Sequence, residues 1–350
     1  MPNVFELNIN AKNIKTIYEA DAEDRAPYLG EALFPATRQQ GLELNVVKGK
    51  QGLPVALVSA NWDTDVLYRD RIGFNALTAE LPFFKEAYKI DELTRQKILT
   101  MDQKFVAPLF NKVFDDVNDL LDGAEVTAER MRMQLVGTGT ISIQENGVDK
   151  QYDYGFTSGT QFVTEQTLWS ATGAKPFDSM VKQLKAYKRI FKKTPKLIVI
   201  GYNAYQSLLA DADILAYFSS LPTPLLAPTD DEIHAYIERR LGVRVVCADA
   251  QYVKARDFAS RTATYFYPAD RYTILPDYEI GETNYGQTPE EIDLLNGGNS
   301  SVLSGEVLSN GVAVTTWKEV DPVNVSVKVS EVVLPSCPII DEIYIVKVLN

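Results

Sequence analysis

The chain has 350 residues, 45% of them hydrophobic and 23% charged, with a formal net charge of −12. This is a globular composition with length for about two domains and a substantial core. No run approaches the roughly 18–20 apolar residues of a membrane span, and the net acidity argues against gripping nucleic acid through its phosphates, which needs clustered Lys and Arg.

Met1-Pro2-Asn3-Val4-Phe5 lacks the charged and apolar segments of a signal peptide, so a cytoplasmic protein without a membrane partner is expected. Residues 1–40 are weakly patterned. One short strand is expected within Asn3–Ile17 and a turn at Ala26–Gly30, in an arm that has no core of its own and must lie on something else. Phe34-Pro35 is extended, because a residue before Pro is pushed out of the helical region. Residues 41–90 read as a strand excursion. Leu42, Leu44 and Val46 alternate with polar positions, Lys48–Gly52 is a turn, and Val55–Val58 and Asp65–Tyr68 lead to a charged tip, Arg69-Asp70-Arg71. Phe74–Tyr88 is the return leg. A two-stranded ribbon of this kind is marginal in water and needs a neighbour.

The stretch from Ile90 to Gly139 organises the rest. Val106, Leu109, Phe110, Val113, Phe114, Val117, Leu120, Leu121 and Ala124 recur at intervals of three and four, the period of one buried helix face. Asp115, Asp116, Asp119 and Asp122 fall on the opposite, solvated face. Asp91 caps the start, with Glu92 in the first turn. Pro108 and Asp122-Gly123 predict breaks in the rod, and Gly137 and Gly139 stop it.

Asn146-Gly147, between alternating Thr140–Gln144 and Lys150–Tyr154, predicts a hairpin. A second domain begins near Lys175. Phe177–Phe191 is a helix, Lys196–Gly201 a strand covered on both faces, and Tyr202–Ser219 helical. Thr229 and Glu232 form a capping box for a helix that Gly242 stops. Strands follow at Val243–Cys247, Thr262–Tyr267 and Arg271–Leu275. Residues 281–311 read as a loop region, and Val312–Trp317, Asn324–Val329 and Glu342–Leu349 return to strand.

Catalytic candidates are few. His234, the one histidine, sits on the flank of the Thr229 helix, which leaves little scope for Ser–His or Cys–His chemistry. Cys247 and Cys337 are far apart and read as buried thiols. Gly137-Thr138-Gly139-Thr140 lacks the ending of a phosphate loop and follows a helix. The aspartates from Asp115 to Asp122 do not follow a calcium-loop pattern. Asn299-Ser300-Ser301 and Asn324-Val325-Ser326 match the glycosylation sequon by chance in a chain without a secretion signal. Asp213, Asp230 and Asp231 form no recognisable acid/base pair. The basic run Lys182, Lys185, Lys188, Arg189, Lys192, Lys193 and Lys196 reads as the wet side of a helix. No catalytic, cofactor-binding or metal-binding residue is assigned.

The order of arm, long β-flap, long helix, Asn-Gly hairpin and α/β domain resembles the Hong Kong 97-type major capsid proteins of tailed bacteriophages, with the family of the phage lambda major head protein as the nearest relative. Phe83–Tyr88 entering Asp91-Glu92 carries the resemblance. So do Leu135–Thr140 before the hairpin, Lys196–Ile200, Ala250–Val253, Ile274–Asp277 before Gly281, and Ser336–Asp341. It implies an α+β fold with an N-terminal arm (1–40), an extended E-loop (41–90), a peripheral domain (91–175), an axial domain (176–330) and a C-terminal strand returning to the core (331–350). It implies a non-enzymatic, self-assembling subunit forming hexamers and pentamers of an icosahedral virion shell around double-stranded DNA, assembled in the host cytoplasm. A separate scaffolding protein is implied, since the arm is too short to be a scaffolding segment, and a portal protein and a decoration protein are the further partners such a shell can take. Two alternatives stay open at this point: a nanocompartment shell of the same fold, and a cytoplasmic α/β enzyme with a pocket in residues 176–330.

Overall fold

A computed structural model describes the chain apart from residues 1–9, 23–24, 49–74, 101–102, 146, 221–227, 254–261, 296–301 and 320. The first half contains helices α1 (Ala11–Ala22) and α2 (Leu29–Leu33), then strands β1 (Ala36–Arg38), β2 (Glu43–Lys48), β3 (Asn75–Glu80) and β4 (Phe83–Ile90). Helices α3 (Glu92–Thr100) and α4 (Gln103–Thr138) follow, then strands β5 (Thr140–Glu145), β6 (Val148–Asp153) and β7 (Phe162–Thr164). The second half alternates: α5 (Pro176–Phe191), β8 (Leu197–Gly201), α6 (Tyr202–Leu209), α7 (Ala212–Ser219), α8 (Asp230–Leu241), β9 (Arg244–Ala248), β10 (Gln251–Val253), β11 (Ala263–Tyr265) and β12 (Arg271–Leu275). It closes with β13 (Glu282–Tyr285), α9 (Pro289–Leu295), β14 (Val302–Val307), β15 (Ala313–Lys318), β16 (Val325–Ser336) and β17 (Tyr344–Lys347). The chain forms two compact units. The first is Met1–Leu44, Ala79–Arg132 and Gly281–Ser336; the second is Asn45–Thr78, Met133–Ile280 and Cys337–Asn350.

The first unit is built on β16. Its valines and leucine over Val325–Leu334 favour an extended, packed strand. It pairs antiparallel with β4 from Val325↔Ile90 to Val332↔Phe83, then with β13 from Val333↔Tyr285 to Ser336↔Glu282. β15, β14 and the parallel β1 complete the sheet. Residues 281–311, expected as loop, therefore supply β13, α9 and β14. Their Ser, Asn and Gly content hid short strands that the sheet itself stabilises. Lys328 and Ser330 on one face of β16 both donate to the Glu290 carboxylate of α9.

The strand expected within Asn3–Ile17 is instead the helix α1. Ala11, Ile14 and Tyr18, spaced by three and four, are buried, and the face they form lies on β14–β15. The Ala11 amide donates to Ser304 Oγ at 2.9 Å, and Lys15 Nζ to the Val307 carbonyl at 2.7 Å. Charge fixes the next turn. The Gly30 amide donates to Glu129 Oε1 at 2.8 Å, and Arg132 Nε donates to Thr283 Oγ1 at 2.8 Å. The Thr283 hydroxyl in turn donates to the Phe34 carbonyl at 2.8 Å. Glu129 and Arg132 are both buried, and Arg132 contacts Glu129 at 3.4 Å. Buried charge is tolerated here because each group has a hydrogen-bonding partner.

The rod runs as α3 and α4, with residues 101–102 outside the description. Asp91 Oδ1 accepts the Thr94 amide at 3.2 Å, as expected of a cap. Neither Pro108 nor Gly123 breaks α4. One lost hydrogen bond and one flexible residue are outweighed by burial of Val117, Leu121, Ala124 and Ala128 along its face. Of the flap, β2 pairs with β3; Val55–Val58, Asp65–Tyr68 and the tip Arg69-Asp70-Arg71 lie outside the described residues.

The second unit has a sheet in the order β7-β17-β12-β8-β9. All five residues of β8 are buried, as a strand covered on both faces requires. Helices α5, α6 and α8 cover one face around Met180, Tyr187, Ile198, Ile237 and Tyr272, with Trp169 stacked on Tyr272 at 5.7 Å. On the other face Thr273 Oγ1 donates to the Val136 carbonyl at 2.9 Å, holding the last turns of α4. Gly139 ends α4 at φ +73, and the hairpin β5–β6 follows, with Gly147 at φ +79.

The helix expected over Tyr202–Ser219 is two, α6 and α7, divided at Asp211. Asp211 Oδ1 caps α7 through the Asp213 amide at 2.8 Å, while Oδ2 accepts the Phe177 amide at 2.8 Å in the first turn of α5. This buried carboxylate thus satisfies the starts of two helices. Asp211→Ala is expected to destabilise the chain by about 2–3 kcal/mol, because the buried Phe177 amide and the part-buried Asp213 amide lose their acceptor. A denaturant midpoint unchanged from wild type would refute that role.

Candidate assembly surfaces

The sequence candidates for chemistry are scattered. His234 Nδ1 lies 3.0 Å from the Tyr205 hydroxyl, and Nε2 lies 3.5 Å from Glu238 Oε1. Burial first, then Cys247 and nearby acids, raises the Tyr205 pKa to about 12, so the phenol stays protonated. Cys247 is half-buried, and burial reinforced by Asp249 pushes its thiol up to about 11, away from the reactive thiolate. Cys337 is buried with Sγ 3.2 Å from the Ile280 carbonyl. Asn324 is buried with its amide donating to Glu319; Asn299 lies outside the described residues. Among the described residues, no three His, Cys, Asp or Glu side chains gather as a metal site would require, and no helix is long and apolar enough to cross a membrane.

Surface charge is organised instead. On α4, Asp115 and Asp119 are exposed beside half-exposed Asp116. Burial, with repulsion from Asp119 and Asp115, raises the Asp116 pKa against the pull of Lys112. Asp122 takes a different part: it accepts the Tyr18 hydroxyl at 3.1 Å and pairs with Arg25. Lys182, Lys185, Lys188, Arg189, Lys192, Lys193 and Lys196 are exposed along and just beyond α5, as its period predicted. Lys193 pairs with Glu342 at 2.7 Å and Lys196 with Asp277 at 2.9 Å.

Near Lys196, an open basin of about 560 Å³ is lined by Pro195, Lys196, Glu238, Arg239, Gly242, Val243, Arg244 and Tyr278. Glu238 there accepts the Val245 amide at 2.8 Å and is committed to structure. The remaining lining is cationic, apolar or phenolic, with no acid/base pair. Both units also expose large apolar side chains: Phe83, Tyr88 and Leu93 in the first, Leu215 and Tyr217 in the second. Neither motif spacing nor composition signalled the basin, because its cations come from the ends of three separate elements.

The family model of phage major capsid protein E matches residues 16–348. The chain belongs to the phage major capsid protein E family. Its fold agrees with that membership. It superposes on a protein described as the prophage capsid protein of Escherichia coli CFT073 with a TM-score of 0.62, 12% identity, and coverage of 97% of this chain and 99% of that one. A phage-related protein of Bordetella bronchiseptica RB50 gives 0.55 at 10% identity, covering 95% and 96%. No curated protein matches the chain in sequence. The capsid protein E chain thus has the Hong Kong 97-type α+β fold and is a structural protein of a phage shell, not an enzyme.

Proposed function

We propose that this capsid protein E chain assembles as hexamers and pentamers into an icosahedral shell that encloses double-stranded DNA, and that assembly takes place in the host cytoplasm. The family match over residues 16–348, which runs through both units, carries the reading. In it, residues 1–40 act as the N-terminal arm, 41–90 as the E-loop, 91–175 as the peripheral domain, 176–330 as the axial domain and 331–350 as the returning strand. A net charge of −12 suits a wall that holds DNA without binding it tightly. The exposed apolar side chains on both units are of the kind that neighbouring copies cover. No catalytic, cofactor or metal residue is needed. A separate scaffolding protein, a portal protein and a decoration protein are the partners proposed alongside the chain itself.

Negative-stain electron microscopy of the chain, expressed alone and then with its neighbouring genes, is expected to show closed shells or tubes of regular capsomers. Small monodisperse particles in both preparations would overturn the assembly reading. A neighbouring cargo-enzyme gene, in place of portal and large terminase genes, would reassign the shell to a nanocompartment.

A further inference from the structure

The second unit gathers exposed cations at one end of its sheet, beside Glu238 and Asp277, which are already engaged within the chain, and its topology makes it so. β8 and β9 are parallel, with Leu197 opposite Arg244. Each is entered from a preceding helix, α5 or α8, so both helix C-termini come to the same end of the sheet. That end collects Lys188, Arg189 and Lys192 from α5, and Arg239, Arg240 and Arg244 around the close of α8. All six are exposed, and among the described residues they make no ion pair. The helix dipoles favour cations here, but one or two would serve that purpose. The basin lies among them, open beside β9, and β9 is the last strand of its sheet.

The opposite end of α8 is the reverse. Asp230, Asp231 and Glu232 occupy its first turn and are exposed, and Asp249 lies past the far end of β9. Glu232 is engaged in the capping box with Thr229 at 2.8 Å, which leaves Asp230 and Asp231 outermost. Like copies carrying −12 each repel one another. An ordered contact between them is therefore favoured where opposite charges meet.

We infer that the Arg239–Arg244 basin of one copy receives the Asp230–Asp231 end of α8 from a second copy, in a head-to-tail contact. Such a contact is heterologous, the kind that forms a ring where its rotation closes. The partner is thus a second copy of this chain, recognised by charge. The inference rests on the assembly reading above and gives it a specific interface.

The test is charge reversal, in whichever expression context gives wild-type particles. R239E/R244E and D230K/D231K are each expected to stay folded by circular dichroism yet lose particles at least tenfold. The quadruple variant, with both ends reversed, is expected to restore them. Wild-type assembly should also weaken as salt rises. Normal particles from either double variant would overturn the pairing. So would folded double variants that the quadruple does not rescue. Particles of normal number that lose only their retained DNA would assign the basin to nucleic acid and equally overturn it. A wild-type chain that never assembles refutes the assembly reading itself, a result distinct from any of these.

Discussion

Gly281→Val is expected to destabilise the chain by at least about 3 kcal/mol, the upper range for overpacking, because the obstruction is backbone. A Cβ on Gly281 would lie 1.9 Å from the Ser336 carbonyl oxygen and 2.8 Å from Phe34 Cδ1. Neither neighbour can give way. Ser336 is registered opposite Glu282 in the β13–β16 ladder, and Phe34 is fully buried. The Gly281 amide also donates to the Leu33 carbonyl at 3.3 Å, so a shift to relieve the clash would strain the link to α2 as well. Gly281→Ala should act in the same direction with a smaller effect. Thermal unfolding followed by circular dichroism is the check. A valine variant that melts with wild type would show that the close approach is not enforced.

Glu331→Gln is expected to flatten the pH dependence of stability. Glu331 sits on the face of β16 opposite Lys328 and Ser330, only 2% exposed, and among the described residues neither carboxylate oxygen has a hydrogen-bond partner. Burial raises its pKa from 4.5 to about 8; Arg132 opposes the shift and Glu125 adds to it. The Tyr285 phenol lies in the same field, and Glu331 contributes to raising its pKa. Folding therefore favours the protonated acid. The associated stability is fully present below pH 4.5 and is lost as pH rises through about 8. The size is a few kcal/mol, because each tenfold change in proton affinity between the folded and unfolded states is worth about 1.4 kcal/mol. Wild type should melt lower at pH 8 than at pH 5, whereas the glutamine variant, which cannot ionise, should lose most of that difference. Parallel melting curves for the two proteins across this range would refute the account.

The long helix was legible because a single face repeats through Val117, Leu121 and Ala124, and the Thr229 capping box because its signal is local. The capping box forms as expected, with Glu232 accepting the Thr229 amide. The helix α1 was missed because its buried face is only Ala11, Ile14 and Tyr18, among charged residues that resemble an unpatterned arm. The expected helix over Tyr202–Ser219 was divided because Asp211 binds the distant Phe177 amide, a contact that no local window contains. β13 and β14 were read as loop because their stability comes from partners about 50 and about 10 residues onward, β16 and β15.

By itself, the sequence determined the long spine helix and the scarcity of catalytic groups, because these depend on periodicity and residue inventory, and the order of its segments carried the resemblance that implied the capsid family and its α+β fold. Only the tertiary structure decided that α1 and β1 pack on the sheet built around β16, that the Glu331 carboxylate is buried without a hydrogen-bond partner among the described residues, and that six cations collect at one end of the second unit. Those features join residues far apart in the chain. They follow from strand register and from the direction in which each helix feeds its strand, which local patterning does not encode.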